Sequence, residues 1–247
     1  VTLALVSFLG AWIIKGNTVV AVNLLWISAH QTVNNFVYAV IPLFVLMGFL
    51  VSVTGMGRDA FDVASQMFRK LRGGLGVGTV GANAIFAAIT GISIASAAVF
   101  TRIAVPEMVR HGYSKKFSVG VVAGSSVLGM LIPPSLLLIL YGLLTEQSVG
   151  DLFIAGVIPG LLLASVFGLG VLIMAWLWPS FVGRDITLSS EDAPSSSREL
   201  ARKGIPIIAL IGLVLGGIYG GFFTPIEAGA VGCLGAIVIG LMKRRLR

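Results

Sequence analysis

One cysteine and two histidines are all the soft metal-binding chemistry that this 247-residue chain contains. Cys233 stands alone inside an apolar stretch, which excludes a disulfide framework and a thiolate metal site and leaves a small buried hydrophobe. His30 and His111 are too far apart in sequence and setting to suggest a metal site, and each reads as an interfacial or loop residue. No HExxH, GxSxG or Walker A pattern occurs, so no catalytic apparatus is visible. Charge is scarce as well. Only 11% of residues are charged against 57% apolar, and the mean hydropathy is +1.01. Apolar surface on that scale could not all be buried in one core, which excludes an ordinary soluble domain. The composition specifies a polytopic membrane protein, all-α in class, with the lipid bilayer as its first partner.

What charge there is lies in a pattern. Sixteen of the seventeen Lys and Arg residues fall into four clusters, at 58–72, 102–116, 184–203 and 243–247. The net charge of +7 does not indicate nucleic acid, because these bases flank apolar spans and lack an interleaved aromatic platform. Retention of loops on the inner side and contact with anionic lipid account for them. If all four clusters lie inside, one intervening segment cannot cross. That segment is 73–101, GGLGVGTVGANAIFAAITGISIASAAVFT, uncharged and rich in Gly. A re-entrant hairpin, turning at Thr90-Gly91-Ile92-Ser93, satisfies both of its basic flanks. Non-helical backbone at membrane depth survives only where protein or water satisfies its polar groups, and transporters bind substrate and ions there.

The other segments follow from the same logic. The first apolar run is about fourteen residues, short of the ~20 needed to span, so the chain is expected to begin inside a helix; no basic region precedes the run as in a signal peptide. Residues 18–29 read as a short interfacial helix with Trp26 as anchor, and 36–54 as a span running inward. The uncharged stretch 117–144 is interrupted by Pro133-Pro134, which makes it a broken helix. Glu146 and Asp151 mark an external loop. Residues 152–178 return inward, and 179–204 form a polar, Ser-rich linker whose end, 198–203, starts an arm helix along the surface. As one straight helix, residues 205–242 would extend about 57 Å against a ~30 Å core, so two spans turning at Thr224-Pro225 are required. Glu227 beside that turn reads as a capping carboxylate rather than a buried proton carrier.

Two interrupted elements could carry chemistry: the tip Gly91, Ile92, Ser93, Ile94, Ala95, Ser96, and the broken helix with Gly124, Ser125, Ser126 and Ile132 to Ser135. Unwound carbonyls and Ser hydroxyls hold a hard cation such as sodium without burying a counter-charge. The hairpin and the broken helix contain no Asp, Glu or His, unlike a typical proton-coupled carrier. Gly and Ser at this density also serve close helix packing in lipid, which is the competing reading.

The strings LRGGLGVGTVGANAIFAAITGISIASAAVFTRIAVPEMVRHGY, AGSSVLGMLIPPSLLLILYG, SVGDLFIAGVIPGLLLA and GGIYGGFFTPIEAGAV, in this order, closely resemble the large permease subunit of tripartite ATP-independent periplasmic (TRAP) transporters. The resemblance implies a multi-pass protein of the bacterial or archaeal cytoplasmic (inner) membrane that transports an organic acid or similar solute by sodium symport. Its partners would be an extracytoplasmic solute-binding protein and a small membrane subunit; sodium is the coupling ion, with no other cofactor and no enzymatic step. The implied fold is an inverted repeat working as an elevator, with scaffold helices in 1–72, half of the transport domain in 73–145 and further scaffold helices in 146–247. Carried over, Gly91, Ile92, Ser93, Ser96, Gly124, Ser125 and Ser126 would bind sodium. Ser93, Ala95, Pro133, Pro134 and Ser135 would form one wall of the substrate site. Ile94 departs from the small residue that the family often has there. The family's subunit is considerably longer, so the chain looks like its first half, without the second repeat and a short N-terminal piece. The sequence does not choose among sugar acids, dicarboxylates and keto acids. A truncated, non-transporting scaffold is the alternative; a membrane-embedded enzyme would need a nucleophile and an adjacent base, and the two interrupted elements offer only hydroxyls.

Overall fold

The computed structural model describes residues 2–34, 36–182 and 197–245, and among them no strand occurs. They fall into two units, Val1–Ala39 and Val40–Arg247. In the first unit, α1 (Thr2–Lys15) packs against α2 (Thr18–Asn34). The short helix expected over 18–29 is longer than that. Asn17 Oδ1 accepts the Val19 N–H at 2.9 Å and starts the helix, which then runs on past Trp26 and His30, whose rings stack with centroids 6.2 Å apart.

The second unit opens with α3 (Val40–Val53) and α4 (Met56–Met67), bent by 68° where Gly55 takes the left-handed conformation at φ +72°. It continues through α5 (Gly74–Thr90), α6 (Ser93–Arg110), α7 (Lys115–Ser126), a 3-10 turn over Val127–Met130 and α8 (Leu136–Thr145). Then come α9 (Val149–Leu177), the short α10 (Pro179–Val182), α11 (Ser197–Tyr219) and α12 (Pro225–Met242). Among the described residues three helical segments are long and apolar enough to cross a membrane, Val149–Leu177, Arg198–Tyr219 and Pro225–Met242, and the bent pair α3–α4 makes up to one more. The protein is an all-α, multi-pass membrane protein.

Helices α5 and α6 form an antiparallel hairpin. Phe86 meets Phe100 edge-on with centroids 5.5 Å apart, and nearer the open end Thr79 Oγ1 lies 3.5 Å from Met108 Sδ. The turn falls at Gly91-Ile92, as expected. The second arm does not stop at Thr101, however: α6 continues through Arg102 and Pro106 to Arg110. Pro106 removes a single backbone donor, which the surrounding turns of helix absorb. The end of the polar linker also differs from the surface arm expected at 198–203. Those residues are the first turns of α11, continuous with the span, while the rest of the Ser-rich core, through residue 196, lies outside the described residues.

Two acids of α4 explain how the basic clusters are arranged. Asp59, 2% exposed at its side chain, takes Lys243 Nζ at 2.6 Å and Arg245 at 3.1 Å from the end of α12. Asp62 takes Lys203 Nζ of α11 at 2.8 Å, and Lys203 also reaches Glu199 at 3.3 Å. A Cβ on Gly74 would overlap the backbone of Phe68, so α5 starts against the chain just past α4. Tyr113, between α6 and α7, lies over Gly76 of α5; burial there pushes its hydroxyl pKa up. Lys203, Lys243 and Arg245 therefore share one end of the unit with α4, and the chain at Phe68 and at Tyr113, beside the two ends of the hairpin, packs against the start of α5.

Two apolar cores hold the helices together. The larger gathers Phe44, Met47, Phe86, Phe100 and Leu210 among its buried side chains; the smaller places Val80, Met108, Phe117, Leu128 and Val171 under the hairpin. Lipid tails are as apolar as these side chains, so the association rests on close contact and dispersion. Small residues permit it: a Cβ on Gly78 would stand 2.7 Å from the Ser65 Cα.

Candidate functional site

Gly91 ends α5 in the left-handed conformation, φ +63°, with its N–H bonded to the Ala87 carbonyl at 2.9 Å. Ile92 then turns extended, at φ −128° and ψ 112°, and α6 begins. This tip lies directly against the break in the following helix. The Leu136 N–H donates to the Gly91 carbonyl at 3.2 Å, and a Cβ on Gly91 would overlap the carbonyl of Pro134. On the other side, a Cβ on Gly129 would stand 2.9 Å from the Ser93 nitrogen. A Cβ on Gly48 of α3 would meet Ile92 Cδ1 and Thr90 Cβ, each at 3.3 Å. Absent side chains thus let three separate segments converge on Thr90 to Ser93.

The break is itself well bonded. Ser135 Oγ donates to the Met130 carbonyl at 2.6 Å and accepts the Leu138 N–H at 3.5 Å, capping α8. At about 1.5 Å per residue α7 is about 18 Å long and α8 about 15 Å, each near half of a ~30 Å hydrocarbon core. Four helix ends therefore meet at one place. The C-terminal ends of α5 and the 3-10 turn carry partial negative charge on carbonyls, and the N-terminal ends of α6 and α8 carry partial positive charge on N–H groups. Such a locus can hold a hard cation by oxygen on one side and an anionic group by N–H on the other. Among the described residues no cluster of His, Cys, Asp and Glu could hold a metal, so the oxygens available are those of backbone and hydroxyl groups.

The residues singled out from sequence are distributed unevenly about this locus. Gly91 faces Pro134 and Ser135 across the tip and break, with Pro133 adjoining, and Ile92 and Ser93 face Gly129 of the 3-10 turn. Ile94 beside them is 79% exposed. Ala95 packs against the larger core. Ser126 turns its hydroxyl back to the Ala123 carbonyl at 2.8 Å. Gly124 faces α9, where a Cβ would meet the Phe167 ring at 3.3 Å, so its small size serves packing. Ser96 and Ser125 are brought together, but through a residue the motif reading passed over. Asn83 of α5 accepts from Ser96 Oγ at 2.5 Å through Oδ1 and donates to Ser125 Oγ at 2.8 Å through Nδ2. The available signal was a lone amide in the middle of an uncharged helix at membrane depth, where polar groups are costly unless bonded. Gly129 and Gly48 carried no comparable mark.

Comparison with known proteins agrees with the motifs. Residues 1–247 match the family described as "Tripartite ATP-independent periplasmic transporter, DctM component". The C4-dicarboxylate TRAP transporter large permease protein DctM of Pseudomonas aeruginosa is 38% identical over 91% of this chain and 51% of its own length. The sialic acid TRAP transporter large permease protein SiaM of Vibrio cholerae is 30% identical over 84% of this chain and 47% of its own. The ectoine TRAP transporter large permease protein TeaC of Halomonas elongata is 29% identical, over 81% and 45%. The chain thus spans about half the length of these curated relatives. With the hairpin, the broken helix and the four motifs all accounted for over its full extent, the chain belongs to the DctM family, a transporter component and not an enzyme.

Proposed function

We propose that the chain forms half of a sodium-coupled importer of small organic acids in the bacterial or archaeal cytoplasmic membrane, working with a solute-binding protein and a small membrane subunit. The observation that carries this reading is the meeting of the Gly91–Ser93 tip with the Pro133–Ser135 break, four helix ends at one locus that contains no ionisable side chain. Carbonyl and hydroxyl oxygens there suit sodium, and the N-terminal ends of α6 and α8 suit a carboxylate. The basic end of the unit would face the cytoplasm. The hairpin and broken helix would form the moving part of an elevator, and α3, α9, α11 and α12 its frame. Two of the relatives compared are named for acids, C4-dicarboxylates and sialic acid, and a third for ectoine, so the solute class varies across the family.

The test is uptake into proteoliposomes holding the complete subunit, assembled with its small subunit and loaded solute-binding protein. An inward sodium gradient should drive accumulation of the solute above equilibrium. Equal accumulation with potassium in place of sodium would remove the coupling from this reading.

A further inference from the structure

Asn83 is fully buried in the middle of α5, two turns before the tip, and its amide reaches both neighbouring helices of the transport half. Its Oδ1 accepts from Ser96 Oγ of α6 at 2.5 Å; its Nδ2 donates to Ser125 Oγ of α7 at 2.8 Å and to the Thr79 carbonyl at 3.2 Å. Ser125 in turn donates to the Val121 carbonyl at 2.6 Å. Ser96 and Ser125 are also fully buried. An amide whose oxygen accepts from one helix and whose nitrogen donates to another bridges the two with both of its polar ends satisfied. Thr90 bonds within its own helix, to the Phe86 carbonyl at 3.0 Å, and Thr79 bonds to the Leu75 carbonyl at 2.9 Å and approaches Met108 Sδ of α6 at 3.5 Å. Neither of these hydroxyls bonds to α7.

We propose that Asn83 is a positioning residue: through Ser96 and Ser125 it locks both arms of the hairpin to α7, and so holds the Gly91–Ser93 tip in register with the Pro133–Ser135 break. Backbone contacts at the tip need that register. The Leu136–Gly91 bond ties the tip to α8, and the approach of Gly129 to Ser93 ties it to the 3-10 turn that follows α7. The lock rests on the reading of tip and break as the ion site, and it predicts that ion affinity depends on a side chain that touches no ion.

The test compares Asn83→Leu, similar in volume and without polar atoms, with Thr79→Val, which removes a buried hydroxyl from the same helix but no bond to α7. In the complete, assembled transporter, Asn83→Leu should raise the sodium concentration for half-maximal uptake about five- to twentyfold, from two lost inter-helix bonds. The maximal rate at saturating sodium should stay within about twofold, and Thr79→Val should leave both near wild type. Asn83→Leu that lowers thermal stability but leaves the sodium dependence unchanged would make the role one of stability alone, and would overturn the proposal. Hydrogen exchange provides a readout that does not depend on sodium. Asn83→Leu should accelerate exchange of amides in 91–96 and 127–136 together, and Thr79→Val in neither. If wild type transports without sodium, the ion-site reading fails while this exchange pattern still decides the lock; exchange unchanged at both segments would overturn it.

Discussion

Removing the Asp59 carboxylate should loosen the end of the protein at which the basic clusters meet. In Asp59→Asn, Lys243 Nζ loses a partner at 2.6 Å and Arg245 loses contacts at 3.1 and 3.3 Å. At an effective dielectric of about 20, unit charges about 3 Å apart attract by about 5 kcal/mol before desolvation is counted. Breaking a fully buried pair typically costs about 3–5 kcal/mol. Here the acid is 2% exposed but its partners are 18% and 40% exposed, so the two cations regain water when the acid is lost. The expected loss is therefore about 2–3 kcal/mol, dominated by Lys243. Arg245 retains its bonds to the carbonyls of Thr54 and Gly55, at 3.2 and 3.3 Å, in the variant. A double-mutant cycle of Asp59→Asn with Lys243→Met, read by equilibrium unfolding in mild detergent, should give a coupling of about 1–3 kcal/mol. The cycle with Arg245→Met should give less. Coupling indistinguishable from zero in both would refute the placement of α4 against the end of α12, and with it the convergence of the clusters.

Further outcomes follow from the same geometry. Cysteines placed at Arg69 and Lys115 should both react with a membrane-impermeant reagent from the cytoplasmic side and one at Glu146 from outside; labelling of the first two from opposite faces would end the hairpin reading. Gly91→Ala imposes both a left-handed alanine, at about 1–2 kcal/mol, and an overlap with the Pro134 carbonyl, and should abolish uptake while Gly10→Ala, whose Cβ meets nothing within 4 Å, leaves it unchanged. Thr224→Ala breaks a capping box in which the Thr224 N–H reaches Glu227 Oε2 at 2.8 Å and the Glu227 N–H reaches Thr224 Oγ1 at 3.4 Å, and should lower stability by about 1 kcal/mol in thermal unfolding. Residues 1–247 reconstituted alone with a small subunit and loaded binding protein should show no sodium-driven accumulation, and supplying the further length that the relatives have should recover it.

Punctuation was the legible part of this sequence. Glycine at 91 and the Pro133-Pro134 pair interrupt long uncharged stretches, and each break stands where the chain turns or unwinds, because the backbone can satisfy a gap at membrane depth in few ways. Thr224 and Glu227, three apart before an apolar run, announced the cap that forms, and Cys233 lies among apolar neighbours with Sγ near the Leu43 carbonyl at 3.1 Å. Pairings at long range were illegible. Asp59 finds Lys243 across 184 positions and Asp62 finds Lys203 across 141, and no local pattern carries that information. Local signals were also passed over: Asn17 as the cap that starts α2, and Asn83 as an amide whose partners lie on two other helices. The neighbour of Gly124 was likewise illegible: a Cβ there would meet the Phe167 ring of α9 at 3.3 Å.

The central claim, that tip and break together make half of a sodium site, is tested most directly by the sodium dependence of Ser93→Ala in the complete transporter. Ser93 begins α6 at the contact with Gly129, and a lost hydroxyl ligand should cost about 1 kcal/mol. The account predicts a half-saturating sodium concentration raised about fivefold, with solute affinity at saturating sodium little changed. A sodium curve superimposable on wild type, in protein of undiminished stability, would contradict it and leave the meeting of hairpin and broken helix as packing alone.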